Sequence, residues 1–186
     1  LRGFDISVMT VIEGDSGLIV IDPLISTEVA QAALDLYYAH RPRRPVVAVI
    51  YSHSHVDHFG GVRGVIDEAD VQAGRVQVIA PKGFMEEAVS ENVMAGNAML
   101  RRAHFQFGPL LPKGVRGQVD AGLGKTVSTG AVTLIPPTRV IEQTVERQKA
   151  VRYGVADQDV IGLHRAGGEV EIAVLYVRHG RLAGRR

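Results

Sequence analysis

The chain has 186 residues, 46% of them hydrophobic, so it is long enough to bury one sizeable core and too short to presume two. Lysine and arginine together number 21 against 20 aspartates and glutamates, which excludes a whole-chain electrostatic argument for binding nucleic acid or an anionic membrane. Cysteine is absent, so the seven histidines and the carboxylates are left as the plausible metal ligands. No run approaches the roughly 20 apolar residues of a membrane span, and the composition leaves the compartment open.

The first fifty residues alternate between strand and helix patterns. Two β-branched segments, 6–12 and 18–21, flank a turn-rich spacer and predict a hairpin. Thr27 can cap a helix over residues 27–39, whose apolar side chains fall on one face. Residues 46–51 are continuously apolar and β-branched, which predicts a strand buried on both faces of an α/β sheet.

Weaker patterns follow along the rest of the chain. They predict a strand at 76–80, helices at 85–93 and 95–107, a surface loop at 108–130 and a short strand at 132–135. Beyond about residue 139 the residue pattern changes. The sequence there is compatible with a helix at 142–151 and predicts an antiparallel hairpin at 160–177.

Four potential metal ligands follow directly after the buried strand: His53, His55, Asp57 and His58. Zinc favours imidazole nitrogen and carboxylate oxygen, and few loops have another use for this combination. The extended i, i+2 spacing points His53 and His55 toward one metal, while Asp57 and His58 lie further along and can serve a second. Two neighbouring metals would activate a shared water and clamp the oxygens of a hydrolysed ester, so the sequence predicts metal-assisted hydrolysis.

Other polar residues and glycines around the loop carry weaker predictions. Asp22, at the end of the second strand, is a candidate to brace the metal loop through a hydrogen bond, although an aspartate before proline is equally an ordinary turn former. Gly60 and Gly61 are predicted to let the backbone turn tightly after the loop. Glu86, Glu87 and Glu91 are predicted to form a solvated helix face.

Seven segments, including the metal loop, share the pattern of one family: residues 4–7, 9–14, 17–24, 33–38, 53–61, 90–99 and 118–125. Through them, residues 4 to about 139 resemble the alkyl sulfatases of the metallo-β-lactamase superfamily. The resemblance implies an α/β fold, a partial αββα sandwich of the metallo-β-lactamase type. It also implies that His53 and His55 bind one zinc ion and Asp57 and His58 the other, with a sulfate ester of a long-chain alcohol as substrate.

The tail carries a second pattern, in residues 144–151, 157–163, 174–178, 180–182 and 184–186. These segments resemble the middle of the excinuclease subunit UvrC, without either of its nuclease centres. The two resemblances predict an incomplete alkyl sulfatase domain at 1–139 and a UvrC-like helix and β-hairpin of different origin at 140–186. The chain is therefore predicted to be a chimera.

The point where the two resemblances meet, near residue 140, matters for the metal site. In alkyl sulfatases, two glutamates and a further histidine complete the binuclear site beyond the point where this resemblance stops. We therefore expect a zinc-dependent hydrolase that is weakened or inactive, with exposed apolar surface through which copies of the chain associate. One alternative is a chimeric or truncated chain without catalytic activity. Another is a weak DNA or repair-complex binding module in the tail, disfavoured because eight basic residues there face six acidic ones.

Overall fold

The computed structural model describes residues 1–121 and 124–143 in full and, beyond them, the backbone of four strands, Val145–Glu146, Gln158–Ala166, Glu169–Arg178 and Arg181–Arg185. The chain divides into two compact units, Leu1–Val140 and Ile141–Arg186. The assignment of residues 1–139 and 140–186 to domains of different origin stays a prediction. Among the described residues, no helix has the length and apolar character needed to cross a membrane.

The first unit is built on a mixed five-stranded sheet with the strand order β1–β2–β3–β4–β5. The strands are β1 (Thr10–Glu13), β2 (Leu18–Ile21), β3 (Val46–Ile50), β4 (Gln77–Pro81) and β5 (Arg139–Ile141). Strand β1 is antiparallel to β2, as the predicted hairpin requires, and β2, β3 and β4 run parallel to one another. The predicted α/β class is confirmed.

Strand β1 is shorter than the predicted segment 6–12, and the cause is local. The carboxylate of Asp5 accepts a hydrogen bond from the backbone N–H of Ser7 at 2.9 Å, an arrangement typical of an aspartate turn. A second bond, from the N–H of Ile25 to Asp5 Oδ2 at 2.9 Å, holds this buried carboxylate in place. The backbone around residues 5–7 therefore bends instead of pairing with β2.

The helices are α1 (Thr27–His40), α2 (Glu68–Gln72), α3 (Phe84–Val89) and α4 (Gly96–Phe107), with a π-helical turn at Ser90–Met94 and 3-10 turns at Val56–His58 and Val62–Gly64. The predicted helix 85–93 is thus divided between α3 and the π-helical turn. Helix α1 is capped by Ser26 rather than Thr27, and without a side-chain hydrogen bond. Thr27 instead donates its N–H to the carbonyl of Ala131 at 2.9 Å.

The predicted strand at 132–135 is wrong. Thr133 donates its N–H to the carbonyl of Gly60 at 2.7 Å, so this segment hydrogen-bonds to the chain just after residues 53–58, which we call the histidine loop. The last strand of this sheet is β5, which follows the segment 132–135 in the chain. Helix α2, which the sequence patterns did not predict, is capped by Asp67, whose side chain accepts from the N–H of Ala69.

The second unit contains a four-stranded antiparallel sheet with the order β6–β7–β8–β9. Its strands are β6 (Val145–Glu146), β7 (Gln158–Ala166), β8 (Glu169–Arg178) and β9 (Arg181–Arg185). The pairing of β7 with β8 confirms the predicted hairpin. The predicted helix at 142–151 is wrong where β6 pairs with β7, and its residues 144 and 147–151 lie outside the described residues.

The core of the first unit surrounds β3 and fixes the start of the histidine loop. Ala48, Val49 and Ile50 are all buried, and because successive side chains point to opposite faces, both faces of β3 are covered as predicted. Tyr51, fully buried, stacks on Phe84 with ring centroids 5.0 Å apart and donates its hydroxyl to the carbonyl of Ile135 at 3.1 Å. The chain therefore leaves the sheet at a fixed point and in a fixed direction.

The two glycines after the loop are required by close backbone contact. Neither has a positive φ, so the tight-turn explanation predicted from the sequence is not the physical one. A Cβ atom on Gly60 would lie 2.1 Å from the carbonyl oxygen of Ile25, and one on Gly61 would lie 2.2 Å from that of Pro23. The loop can pack against the segment after β2 only because both side chains are absent.

Replacing Gly61 by alanine should lower the free energy of unfolding by about 1–3 kcal/mol, the usual cost of forcing an extra methyl group into packed structure. The matched control is Gly96→Ala in α4, where nothing lies within 4 Å of the added Cβ and stability should stay equal or rise by up to about 1 kcal/mol. Denaturant titration of both variants measures the difference, and equal stabilities would contradict the packing account.

Candidate metal centre

The histidine loop begins where β3 ends, at the carboxyl edge of the parallel strands, where α/β folds commonly bind ligands. The ring centroids of His53 and His58 are 4.0 Å apart, and those of His53 and His55 are 4.6 Å apart. Asp57 lies beside His58. All four residues predicted as ligands from the sequence are therefore brought together in one cluster.

Four atoms of this cluster lie in two close pairs. His53 Nε2 lies 3.0 Å from His55 Nδ1, and His58 Nε2 lies 3.2 Å from Asp57 Oδ2. We call these four the inner atoms. Each pair combines donor types that zinc favours, nitrogen with nitrogen in one and nitrogen with carboxylate oxygen in the other.

The other ring nitrogen of each histidine has a polar partner outside the cluster. His53 Nδ1 lies 3.0 Å from Ser52 Oγ, His58 Nδ1 lies 2.8 Å from Asp22 Oδ2, and His55 Nε2 lies 3.6 Å from Glu91 Oε1. Because Ser52 donates its only hydroxyl proton to Asp22, its oxygen must accept from His53 Nδ1–H. That leaves the lone pair of a neutral His53 on the inner atom Nε2.

Asp22 joins the end of β2 to the start of the loop. Its Oδ1 accepts from the N–H of Ser52 at 2.8 Å, and its Oδ2 accepts from Ser52 Oγ at 2.7 Å and faces His58 Nδ1 at 2.8 Å. The residue has φ of 56°, a left-handed conformation that is uncommon outside glycine and often marks functional sites. The carboxylate thus sits where the sequence-based bracing hypothesis places it, and its role toward a metal stays a prediction.

The charges of the cluster are strongly coupled. Burial disfavours the charged form of His58, but hydrogen bonds to Asp22 and Asp57 outweigh it and raise the pKa of the imidazole to about 10. Burial, followed by repulsion from the neighbouring His58 and His55, lowers the pKa of His53. Burial opposes ionisation of Asp57, but its hydrogen bond to His58 prevails and lowers the pKa of this carboxyl.

Glu91 is a site residue that the sequence patterns missed. It was predicted to lie on a solvated face with Glu86 and Glu87, which are indeed exposed, but only 29% of the Glu91 side chain is accessible. Its Oε2 accepts from Ser54 Oγ at 3.3 Å and its Oε1 faces His55. The prediction was wrong for Glu91 because the π-helical turn, which periodicity does not reveal, brings it onto the loop.

The pairwise arrangement differs from a formed metal site. Across residues 1–121 and 124–143, no three His, Asp or Glu side chains converge on a common point as ligands of one ion would. The inner atoms instead satisfy one another in pairs. The cluster is therefore a set of donors collected in one place, and the zinc assignments made from the sequence stay predictions.

Residues 2–148 of the chain match a family model, and that model describes the metallo-beta-lactamase superfamily. The chain belongs to this superfamily. It is 64% identical over 146 residues to the linear primary-alkylsulfatase of Pseudomonas sp, covering 78% of this chain and 22% of that protein. The solved structure of the stereoselective inverting sec-alkylsulfatase from Pseudomonas sp. is 48% identical, with a TM-score of 0.81, over 95% of this chain and 27% of that one.

The chain therefore spans about a fifth of the length of an alkylsulfatase relative, at 22%. The match confirms the predicted partial metallo-β-lactamase fold in the N-terminal part of the chain. A smaller similarity is to the UvrABC system protein C of Syntrophotalea carbinolica, 52% identical over 69 residues, covering 37% of this chain and 11% of that protein. This finding agrees with the UvrC-like segment recognised in the tail.

The coupling between Asp22 and His58 gives a direct prediction. In Asp22→Asn the amide can keep the left-handed backbone, but the negative charge beside His58 is lost. The pKa of His58 should therefore fall from about 10 toward the ordinary value of 6.5. NMR titration of the metal-free protein measures it, with exposed Asp35→Asn as the control. A His58 pKa unchanged in Asp22→Asn would show that Asp22 does not hold the charge of this ring.

Proposed function

We propose that this chain binds zinc through His53, His55, Asp57 and His58 and that the site serves the hydrolysis of a sulfate ester. The observation that carries the proposal is the spacing of the inner atoms, 3.0 Å and 3.2 Å. Two ligands about 2.0–2.1 Å from one tetrahedral zinc ion are separated by about 3.3 Å. Each inner pair is therefore close to the size of one edge of a zinc coordination sphere.

The division of ligands follows these pairs. His53 and His55 would hold one zinc ion through Nε2 and Nδ1, and Asp57 and His58 would hold the second. In the metal-free protein the hydrogen bonds to Asp22 and Asp57 keep His58 protonated, so zinc would take the place of the Nε2 proton. Asp22 would go on accepting the Nδ1–H, as carboxylate partners of zinc-bound histidines do. Ser52, fixed by Asp22, would do the same for His53.

Zinc in such a site supplies a water of lowered pKa and polarises the oxygens of the ester. The chain's own contribution is to collect the donors at the end of a rigid strand and to fix the tautomer of each ring. His53, Asp57 and His58 are each partly buried, which excludes part of the competing water. These residues therefore bind and orient, and the reacting groups belong to the metal site.

The proposed substrate is a sulfate ester of a long-chain alcohol. Support comes from three relatives named as alkylsulfatases or alkyl/aryl-sulfatases, which are 60–64% identical to this chain. Val93 and Met94, which are 71% and 82% exposed, follow directly after the residues that contact the loop. They would offer an apolar surface to an alkyl chain near the metal site.

We also propose that turnover is weak and that the chain is a chimera. The described donors, four on one loop, cannot close the coordination spheres of two zinc ions, so water would fill the remaining positions. Support for the chimera comes from the two separate similarities and from the division of the chain into units at Val140 and Ile141. The alkylsulfatase similarity falls mainly in the first unit.

Zinc titration by calorimetry, together with sulfate release from octyl sulfate, tests this proposal. The wild-type chain should bind zinc and hydrolyse the ester slowly, and the variants His53→Ala and His55→Ala should each lose zinc affinity by more than about tenfold. His40→Ala, which changes an exposed histidine at the end of α1, is the matched control. Absence of zinc binding at excess metal would overturn the proposal, and sustained rapid turnover would overturn the weak-activity part.

We further propose that the chain associates through apolar surface between α3 and the loop after α4. Most of the large exposed hydrophobic residues in the described part of the chain fall within one stretch: Val89, Val93, Met94, Leu100, Phe105, Leu110, Leu111, Val115 and Val119. Exposed apolar residues concentrated in one stretch of the chain are candidates for an interaction surface. Phe105, at 93% exposure, is its largest member.

Sedimentation velocity tests the association. The wild-type chain should form dimers or larger species at micromolar concentration, and Phe105→Ser should shift it toward the monomer because apolar contact area is lost. Val8→Ser, at a residue exposed elsewhere in the first unit, is the control and should sediment like the wild type. A wild-type protein that stays monomeric at high concentration would contradict the proposal.

A further inference from the structure

The contacts of the π-helical turn at Ser90–Met94 concentrate on one part of the histidine loop. Asn92 Nδ2 donates to the carbonyl of Ser54 at 3.1 Å and to the carbonyl of Ala88 at 2.8 Å. Glu91 Oε2 accepts from Ser54 Oγ at 3.3 Å. The turn itself is closed by the N–H of Ala95, which donates to the carbonyl of Ser90 at 2.9 Å. Single π-helical turns inside helices occur frequently at functional sites.

The second carboxylate oxygen of Glu91 faces the outer nitrogen of His55. Glu91 Oε1 lies 3.6 Å from His55 Nε2, within ion-pair reach and just beyond the hydrogen-bond range. The inner nitrogen of the same ring, Nδ1, faces His53 Nε2 at 3.0 Å. The side chain of His55 is 51% exposed, more than that of His53 or His58. Its outer partner comes from another element of the fold.

We infer that Glu91 is a positioning residue that commits His55 to bind metal through Nδ1, an inference that rests on the zinc site proposed above. A histidine can ligate through either ring nitrogen, and the hydrogen bond made by the other nitrogen decides which one. His53 is fixed in this way by Ser52 at the start of the loop, and His58 by Asp22 at the end of β2. Glu91 places a carboxylate oxygen 3.6 Å from the corresponding nitrogen of His55, and the hydrogen bond from Asn92 to the carbonyl of Ser54 holds the backbone next to that histidine.

Without Glu91, the ring of His55 can turn about its side-chain bonds and present Nε2 to the metal. Half of this side chain is accessible, so little packing opposes the rotation. Zinc would then be bound in two alternative ways, through Nδ1 or through Nε2 of His55, and the affinity of the site for zinc would fall. Glu91 thus acts through His55 and is not itself a ligand or a catalytic group.

The test compares Glu91→Ala and Glu91→Gln with Glu87→Ala, a change to an exposed glutamate of α3 that serves as the matched control. Zinc affinity should fall about ten- to hundredfold in Glu91→Ala, the usual cost of losing the outer partner of a zinc ligand. The loss should be smaller in Glu91→Gln, since an amide oxygen still accepts a hydrogen bond, and Glu87→Ala should match the wild type.

Nitrogen-15 NMR of the zinc-loaded chain supplies a readout that a purely structural role would not move. His55 should ligate through Nδ1 alone in the wild type and through a mixture of Nδ1 and Nε2 in Glu91→Ala. Equal affinity, or Nδ1 ligation preserved in Glu91→Ala, would overturn the inference while leaving the zinc site intact.

A metal-free measurement separates the two proposals. The ring resonances of His55 should shift in metal-free Glu91→Ala and stay in place in Glu87→Ala, and no shift in either variant would overturn the contact itself. If the contact is detected but the wild type binds no zinc, the proposed function has failed and the positioning role falls with it.

Discussion

The carboxylate of Asp22 is the interaction on which the geometry of the histidine loop depends. It receives the backbone N–H and the hydroxyl of Ser52 and pairs with His58 Nδ1, so one side chain joins the end of β2 to both the start and the turn of the loop. The parallel pairing of β2 with β3 places the two strand ends side by side, and the N–H of Asp22 donates to the carbonyl of Ile50. The sheet thereby defines where the loop begins, and Asp22 defines how it turns.

Two further constraints hold the loop in this position. Below it, the buried ring of Tyr51 is fixed by Phe84 and by the carbonyl of Ile135. After it, the backbone at Gly60 and Gly61 packs so closely on the segment following β2 that no side chain fits. Because the backbone of the loop is held at its start and at its end, a ligand that binds there has less backbone to order, although half of the His55 side chain remains accessible.

Much of this arrangement was predictable from the sequence, because the signals were local. The apolar run of β3 and the four potential ligands after it gave the position of the site, and the motif match gave the superfamily. The missed features depend on tertiary structure. The segment 132–135 lacks sheet pairing because Thr133 hydrogen-bonds to Gly60, and Glu91 reaches His55 through a π-helical turn that no residue spacing announces. The reason for the glycines could be found only from the backbone that approaches them.

The central claim is that the inner atoms of His53, His55, Asp57 and His58 are zinc ligands. X-ray absorption at the zinc edge of the zinc-loaded chain tests it most directly, because it reports ligand type and distance without depending on turnover. The account predicts a shell of nitrogen and oxygen atoms at about 2.0–2.2 Å, with the outer scattering of imidazole rings from His53, His55 and His58 averaged over the two zinc ions. A shell of oxygen atoms without imidazole scattering, or a chain that retains no zinc, would contradict it.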